Sequence, residues 1–165
     1  MADFNALLTD IRRSILKSRS GFPPLSPAEM DALSYELGFP VPELVRQLYR
    51  DVANGGFGPG YGLLRFDEIV QTYRELHDSR EQRDEIWQDG LIPFVDWGCM
   101  IFSCLDTQNA MDGDPIVVRY EPNMTETQTR ELLHGSIYRG KGLLVECLAL
   151  SQWLEKWLHP KASSN

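Results

Sequence analysis

The hydrophobic period of this chain changes once and then changes back, which constrains the fold more than any single motif. Before residue 90, apolar residues recur at helical spacing. Phe4, Leu7, Leu8, Ile11 and Ile15 make one stripe, Met30, Leu33 and Leu37 a second, Leu44, Val45, Leu48 and Val52 a third, and Ile69, Val70, Tyr73 and Leu76 a fourth. After Gly90 the runs "LIPFVDW", "CMIFSCL" and "PIVVRY" are short, rich in β-branched and aromatic residues, and separated by Gly, Asp and Asn. They predict consecutive antiparallel strands. Leu150, Trp153, Leu154, Trp157 and Leu158 return to helical spacing and stop at His159-Pro160. Helices, a meander and a helix specify an α+β fold: N-terminal helices and a C-terminal helix packed on one face of a mainly antiparallel sheet. The 165 residues suit one domain over 1–165, with an amphipathic helix in 1–20 and a disordered tail over 160–165.

Local signals sharpen these elements. In "LSPAEM", Ser26 can cap a helix, Pro27 suits its first position, Glu29 completes a capping box and Leu25 can staple against Met30. That helix stops at Gly38, and Pro40 and Pro42 force a turn before the third helix, which is expected to end at Asn54-Gly55. "YGLLRF" reads as a short strand, and Asp67 as the N-cap of a fourth helical region through about Trp87, whose polar second half, "HDSREQRDE", is either a solvated helical turn or a break. Residues 122–142 fit two readings: "TETQ" can open a helix through Leu133, and "SIYRGKGLLVECLA" can begin as a hairpin arm.

The stretch "ANGGFGPGYG", residues 53–62, holds five glycines and closes the third helix. Glycine-rich loops bind phosphate because backbone N–H groups can close on an anion, but the register here is wrong for that use. No Gly-Lys-Ser or Gly-Lys-Thr follows, and spacings of two then three from Gly56 and Gly58 land on Tyr61 and Leu63. The loop also follows a helix, where a dinucleotide loop follows a strand. It reads as a chain reversal.

Charge excludes more. The net charge is −8, and residues 67–114 hold twelve acids and three bases, whereas the flanking stretches are close to neutral. Phosphate-backbone binding calls for a basic patch, so nucleic acid is not expected as a direct partner, and a basic protein is. The acidic middle nominates Asp78, Glu81, Asp84, Glu85, Asp89, Asp106, Asp112 and Asp114 as partner-facing carboxylates; a solvated face is the alternative. No run approaches the roughly 18 apolar residues of a membrane span. The first stripe is interrupted by Asp10, Arg12 and Arg13, which argues against a signal peptide and for a helix packed on its own domain. Three cysteines, an odd number without dense spacing, suit a reduced compartment.

The run "LSPAEMDALSYELGFPVPELVRQLYRDVANGGFGPGYGLL", followed by "LIPFVDWG" and "IFSCLD", resembles the SUKH superfamily of bacterial immunity proteins and fungal regulators of cell-wall synthesis. Order and spacing agree over residues 25–121, and "LSQWLEKWL" is similar to the family's closing amphipathic helix. The resemblance marks Gly38, Pro42, Asn54, Gly55, Gly56, Pro93 and Gly98 as structural motif positions. It departs at "WGCMIF", which replaces a more polar turn, and at residues 122–142, which are longer than the usual connection. It implies a cytoplasmic, non-catalytic binding protein, most concretely an immunity protein that neutralises a toxin by direct binding. Many such toxins are nucleases with basic active sites, which an acidic inhibitor complements. The alternative is a cytosolic regulatory domain with an endogenous partner.

An enzyme reading has less to stand on. Cys99 and Cys104 are five apart on one expected strand and so point to opposite faces, and Cys147 is remote. All three read as small core residues. His77, His134 and His159 form no metal-binding spacing, which leaves no expected metal or cofactor. A Cys/His hydrolase assembled only in three dimensions, using Cys147 or Cys99, is the second alternative.

Overall fold

The computed structural model describes residues 3–79, 87–132 and 140–160. Helix α1 (Asn5–Ser18) buries Leu7, Leu8 and Ile11, as its stripe requires, and ends where Arg19 turns left-handed at φ 51°. Helix α2 (Pro27–Leu37) opens on the expected capping box. The Ser26 hydroxyl accepts from the Glu29 N–H at 3.3 Å, and the Glu29 carboxylate accepts from the Ser26 N–H at 2.8 Å. It stops at left-handed Gly38.

Helix α3 (Glu43–Gln47) runs on into a π-helical turn, Leu48–Val52. The helix therefore ends two residues before the expected Asn54-Gly55. Ala53 is already extended, and the Asn54 side chain has another use: its Oδ1 accepts the first N–H of helix α4 (Phe66–Asp78), that of Phe66, at 2.8 Å. A carboxamide twelve residues upstream thus supplies a cap to α4. Asp67, expected in that role, lies in the first turn and pairs with Arg65 at 3.2 Å. The helix stops at Asp78, short of Trp87, and residues 80–86 lie outside the described residues. Trp87 is buried; its indole N–H donates to the Leu91 carbonyl, and its ring meets Tyr120 edge-on at 5.0 Å.

Four strands follow the expected order. β1 (Leu91–Asp96), β2 (Phe102–Met111), β3 (Asp114–Tyr120) and β4 (Leu143–Cys147) pair antiparallel, each with the next. Helix α5 (Glu126–Leu132) crosses between β3 and β4, so of the two readings of 122–142 the helical one holds for its described first part. Helix α6 (Leu150–Leu158) closes the fold, and the tail after residue 160 lies outside the described residues. "YGLLRF" contributes less than a strand: one bridge from Leu63 to Val95 and two bonds, from the Leu64 N–H to the Phe94 carbonyl and from the Tyr61 N–H to the Asp96 carbonyl.

The middle of β2 is buried in both directions, Ser103 and Leu105 on one face and Cys104 and Asp106 on the other. The sheet is therefore covered on both sides, not on one. On the Ser103 side, Trp153 of α6 donates to Glu146, which also accepts from the Ser103 hydroxyl. On the other side, Trp87 packs on Tyr120, the cross-strand neighbour of Phe102. One core runs through the molecule, and an aromatic chain links its halves. Tyr49 meets Phe66 and Phe94 at 5.2 and 6.4 Å, and Phe94 meets Trp153 at 6.1 Å.

The glycine loop carries the chain from the π-helical turn to α4. Gly55 sits at φ 72°, and a Cβ there would lie 2.5 Å from the Leu64 carbonyl oxygen, so close approach and a left-handed backbone both demand glycine. The loop is stitched on two sides. The Gly21 and Phe22 N–H groups donate to the Gly56 and Gly55 carbonyls, and the Gly56 N–H donates to the Leu63 carbonyl. The buried Tyr49 hydroxyl donates to the Leu64 carbonyl at 2.7 Å, and burial pushes its phenol well above the usual range.

Candidate partner-binding surface

The period of α4 makes one wall of a groove. Its inward stripe is Phe66, Ile69, Val70, Tyr73 and Leu76, and beside it Thr72, Glu75, Leu76 and Ser79 follow one another at helical spacing on a neighbouring face. These residues, with Asp78, line a groove of about 610 Å³ whose other wall is Leu64, Asp96, Met100 and Phe102. The floor is therefore apolar, and the rim carries three carboxylates, Glu75, Asp78 and Asp96.

The second wall depends on an unusual turn. Between β1 and β2, Gly98, Cys99 and Met100 take φ of 84°, 53° and 64° in succession, and two of the three are not glycine. L-residues rarely occupy this region, so the surroundings must hold them there. Asp96 Oδ1 accepts from the Gly98 N–H at 2.7 Å, and the Trp97 N–H donates to the Ile101 carbonyl at 2.9 Å. The turn leaves Met100 48% exposed at the groove, with Tyr61, 81% exposed, standing over Gly98. Gly60 lies against the Trp97 ring so closely that a Cβ would come within 2.9 Å of it, which is how the glycine loop reaches this edge of the site.

Half of the described acids elsewhere are neutralised at home. Asp10, Asp31, Glu36, Asp51, Asp67, Glu68, Glu121, Glu126 and Glu146 each meet an arginine at 2.6 to 3.6 Å. Glu75, Asp78 and Asp96 have no lysine or arginine partner among the described residues. Each gives one oxygen to a local contact: Glu75 Oε1 accepts from Gln71, Asp78 Oδ1 lies 3.3 Å from His77 Nδ1, and Asp96 Oδ1 holds Gly98. Their second oxygens take no hydrogen bond among the described residues.

The acids nominated from sequence scatter. Asp78 is in the groove. Asp89 stands beside His77, 3.2 Å from its Nε2. Asp106 is only 5% exposed and accepts from the Asn109 backbone and side chain, so burial removes it from any docking surface. Asp112 forms the β2–β3 hairpin turn with Gly113, both with positive φ. Asp114 caps α6 from outside, its carboxylate accepting from the N–H and hydroxyl of Ser151. Glu81, Asp84 and Glu85 lie outside the described residues. Glu75, Asp96, Met100 and Tyr61 were not nominated. Only Glu75 carried a signal, its helical spacing from Thr72 and Ser79.

The cysteines also differ from expectation. Cys99 is exposed in the strained turn, off the strand and out of the core. Cys104 is fully buried, and burial pushes its thiol well up. Cys147 is buried and contacts Lys156 and Gln152 at 3.6 and 3.9 Å. Among the described residues no histidine is hydrogen-bonded to a cysteine, and no group of three or more His, Cys, Asp or Glu could hold a metal ion. No helix among them is long and apolar enough to cross a membrane.

Fold and surface together define an α+β domain with an apolar groove rimmed by three carboxylates that have no lysine or arginine partner among the described residues. The sequence model of the SMI1 / KNR4 family (SUKH-1) matches residues 24–137, and the chain belongs to this family. No curated protein matches it. The family includes immunity proteins and SMI1/KNR4 regulators, which is consistent with a non-catalytic binding domain.

Proposed function

We propose that this chain is a cytoplasmic immunity protein, a non-catalytic domain that neutralises a polymorphic toxin by direct binding and docks it at the groove between α4 and the β1–β2 turn. The observation that carries this reading is convergence: Glu75, Asp78 and Asp96, none with a lysine or arginine partner among the described residues, line one apolar groove, whereas nine of the other eighteen described acids hold an arginine. Carboxylates left facing an apolar groove raise the local negative potential and favour a basic partner, accelerating encounter through long-range attraction. A toxin with a basic active site meets that requirement. The regulators in the same family support a second reading, a domain that holds an endogenous cytosolic protein.

The test is co-expression with the toxin domain encoded by a neighbouring gene. Restored growth and a 1:1 complex that survives purification are expected. Continued growth arrest without a complex would overturn the immunity reading, and stable co-purification with an endogenous cytosolic protein in its place would favour the regulatory one.

A further inference from the structure

We propose that the groove receives one arginine side chain of the partner, with Glu75, Asp78 and Asp96 taking the guanidinium and Met100, Leu76 and Phe102 taking its aliphatic stem. This deepens the binding-protein reading above and rests on it for the nature of the partner. The geometry favours a side chain of this shape. Three carboxylates are each oriented by a local contact through one oxygen and retain a second oxygen without a hydrogen bond among the described residues. A guanidinium presents five donors in a planar fork and is more weakly hydrated than an ammonium, so it can satisfy several such oxygens at once, which lysine's compact point charge does less well. The stem needs apolar cover, which Leu76, Phe102 and the adaptable thioether of Met100 supply.

Size agrees. A volume of about 610 Å³ lies within the roughly 300–1,000 Å³ typical of binding clefts, enough for the arginine and the apolar residues beside it. The strained turn contributes as well. Asp96 both fixes Gly98, and so the position of Met100, and stands on the groove rim, which couples the anchor for the stem to the anchor for the charge.

The experiment uses the whole chain with ¹³C-methyl methionine and two synthetic probes, acetyl-Ala-Leu-Arg-Leu-Ala-amide and the same peptide with neutral citrulline for arginine. The arginine peptide is expected to shift the Met100 methyl resonance and leave those of Met30, Met111 and Met124 in place. Citrulline, and separately the isosteric triple change Glu75→Gln, Asp78→Asn and Asp96→Asn, should each weaken binding about tenfold or more. Unmoved Met30, Met111 and Met124 resonances in the free triple variant report that it is folded. Equal binding of both peptides, an unmoved Met100, or an unaffected triple variant would each overturn the proposal. Because the probes are peptides, groove binding can fail while toxin neutralisation holds, and can succeed where no toxin is neutralised.

Discussion

The two ends of β2 treat their carboxylates differently. At the hairpin end, Asp114 is committed to the first turn of α6 and Asp112 to a tight turn, while the hairpin itself docks on α3 through the Leu44 N–H and the Gly113 carbonyl. At the other end, Asp96 holds Gly98 with one oxygen and, with Glu75 and Asp78, rims an open groove. Both ends are acidic in sequence. They differ in what the fold brings up to them: helix N-termini with unpaired N–H groups at one, and an apolar groove with no cation among the described residues at the other. A count of charges along the chain cannot separate a carboxylate that holds the fold together from one that is available to a partner.

Three substitutions probe this contrast through its shared frame, its structural end and a control at the surface. The largest effect is expected from Gly55→Val. The new Cβ would meet the Leu64 and Leu63 carbonyls at 2.5 and 2.6 Å in a left-handed backbone, so urea denaturation should show a loss of roughly 3 kcal/mol. An unchanged midpoint would mean that the glycine loop does not fix Leu64, and with it one wall of the groove.

Asp114→Ala comes next. It removes the acceptor for two donors of Ser151 at the start of α6, and stability should fall by about 1–2 kcal/mol, with partner association unchanged. Slower association in this variant would show that the hairpin end also docks the partner and would break the contrast between the two ends.

The smallest effect concerns Glu29, an exposed acid with a purely structural task. Its hydrogen bonds from the Ser26 hydroxyl and backbone hold its pKa below the usual value of 4.5. A depressed folded-state pKa contributes stability that is fully present above the unfolded pKa and lost as pH falls through the folded one. The gap in denaturation midpoint between wild type and Glu29→Ala should therefore be constant near neutral pH and narrow below the ordinary carboxylate range. A gap that stays the same into acid would assign the effect to helix propensity and not to the carboxylate.

Much of the frame was legible because its causes are local. The capping box at Ser26 and Glu29, the stop at Gly38, the stripe of α6 and the order of the strands all follow from residues within a few positions of one another. The misplacements share an opposite character. Asn54-Gly55 is a local helix-stop signal, yet the Asn54 side chain serves a helix twelve residues further on. "CMIFSCL" has the composition of one strand, yet Asp96 bonds to Gly98 and the next two residues are left-handed.

The sequence by itself determined the α+β class, the sheet order, the glycine requirement at the loop and an acidic middle segment, since periodicity, turn chemistry and composition act over short stretches of chain. Only the tertiary structure decided which acids the fold itself uses and which it leaves at the groove. Asp106 is buried, Asp114 caps a helix, and Glu75 and Asp96, twenty-one residues apart, meet across one groove. The reason is physical: a carboxylate's role depends on the donors and cations within a few ångströms of it, and packing between distant segments sets that neighbourhood.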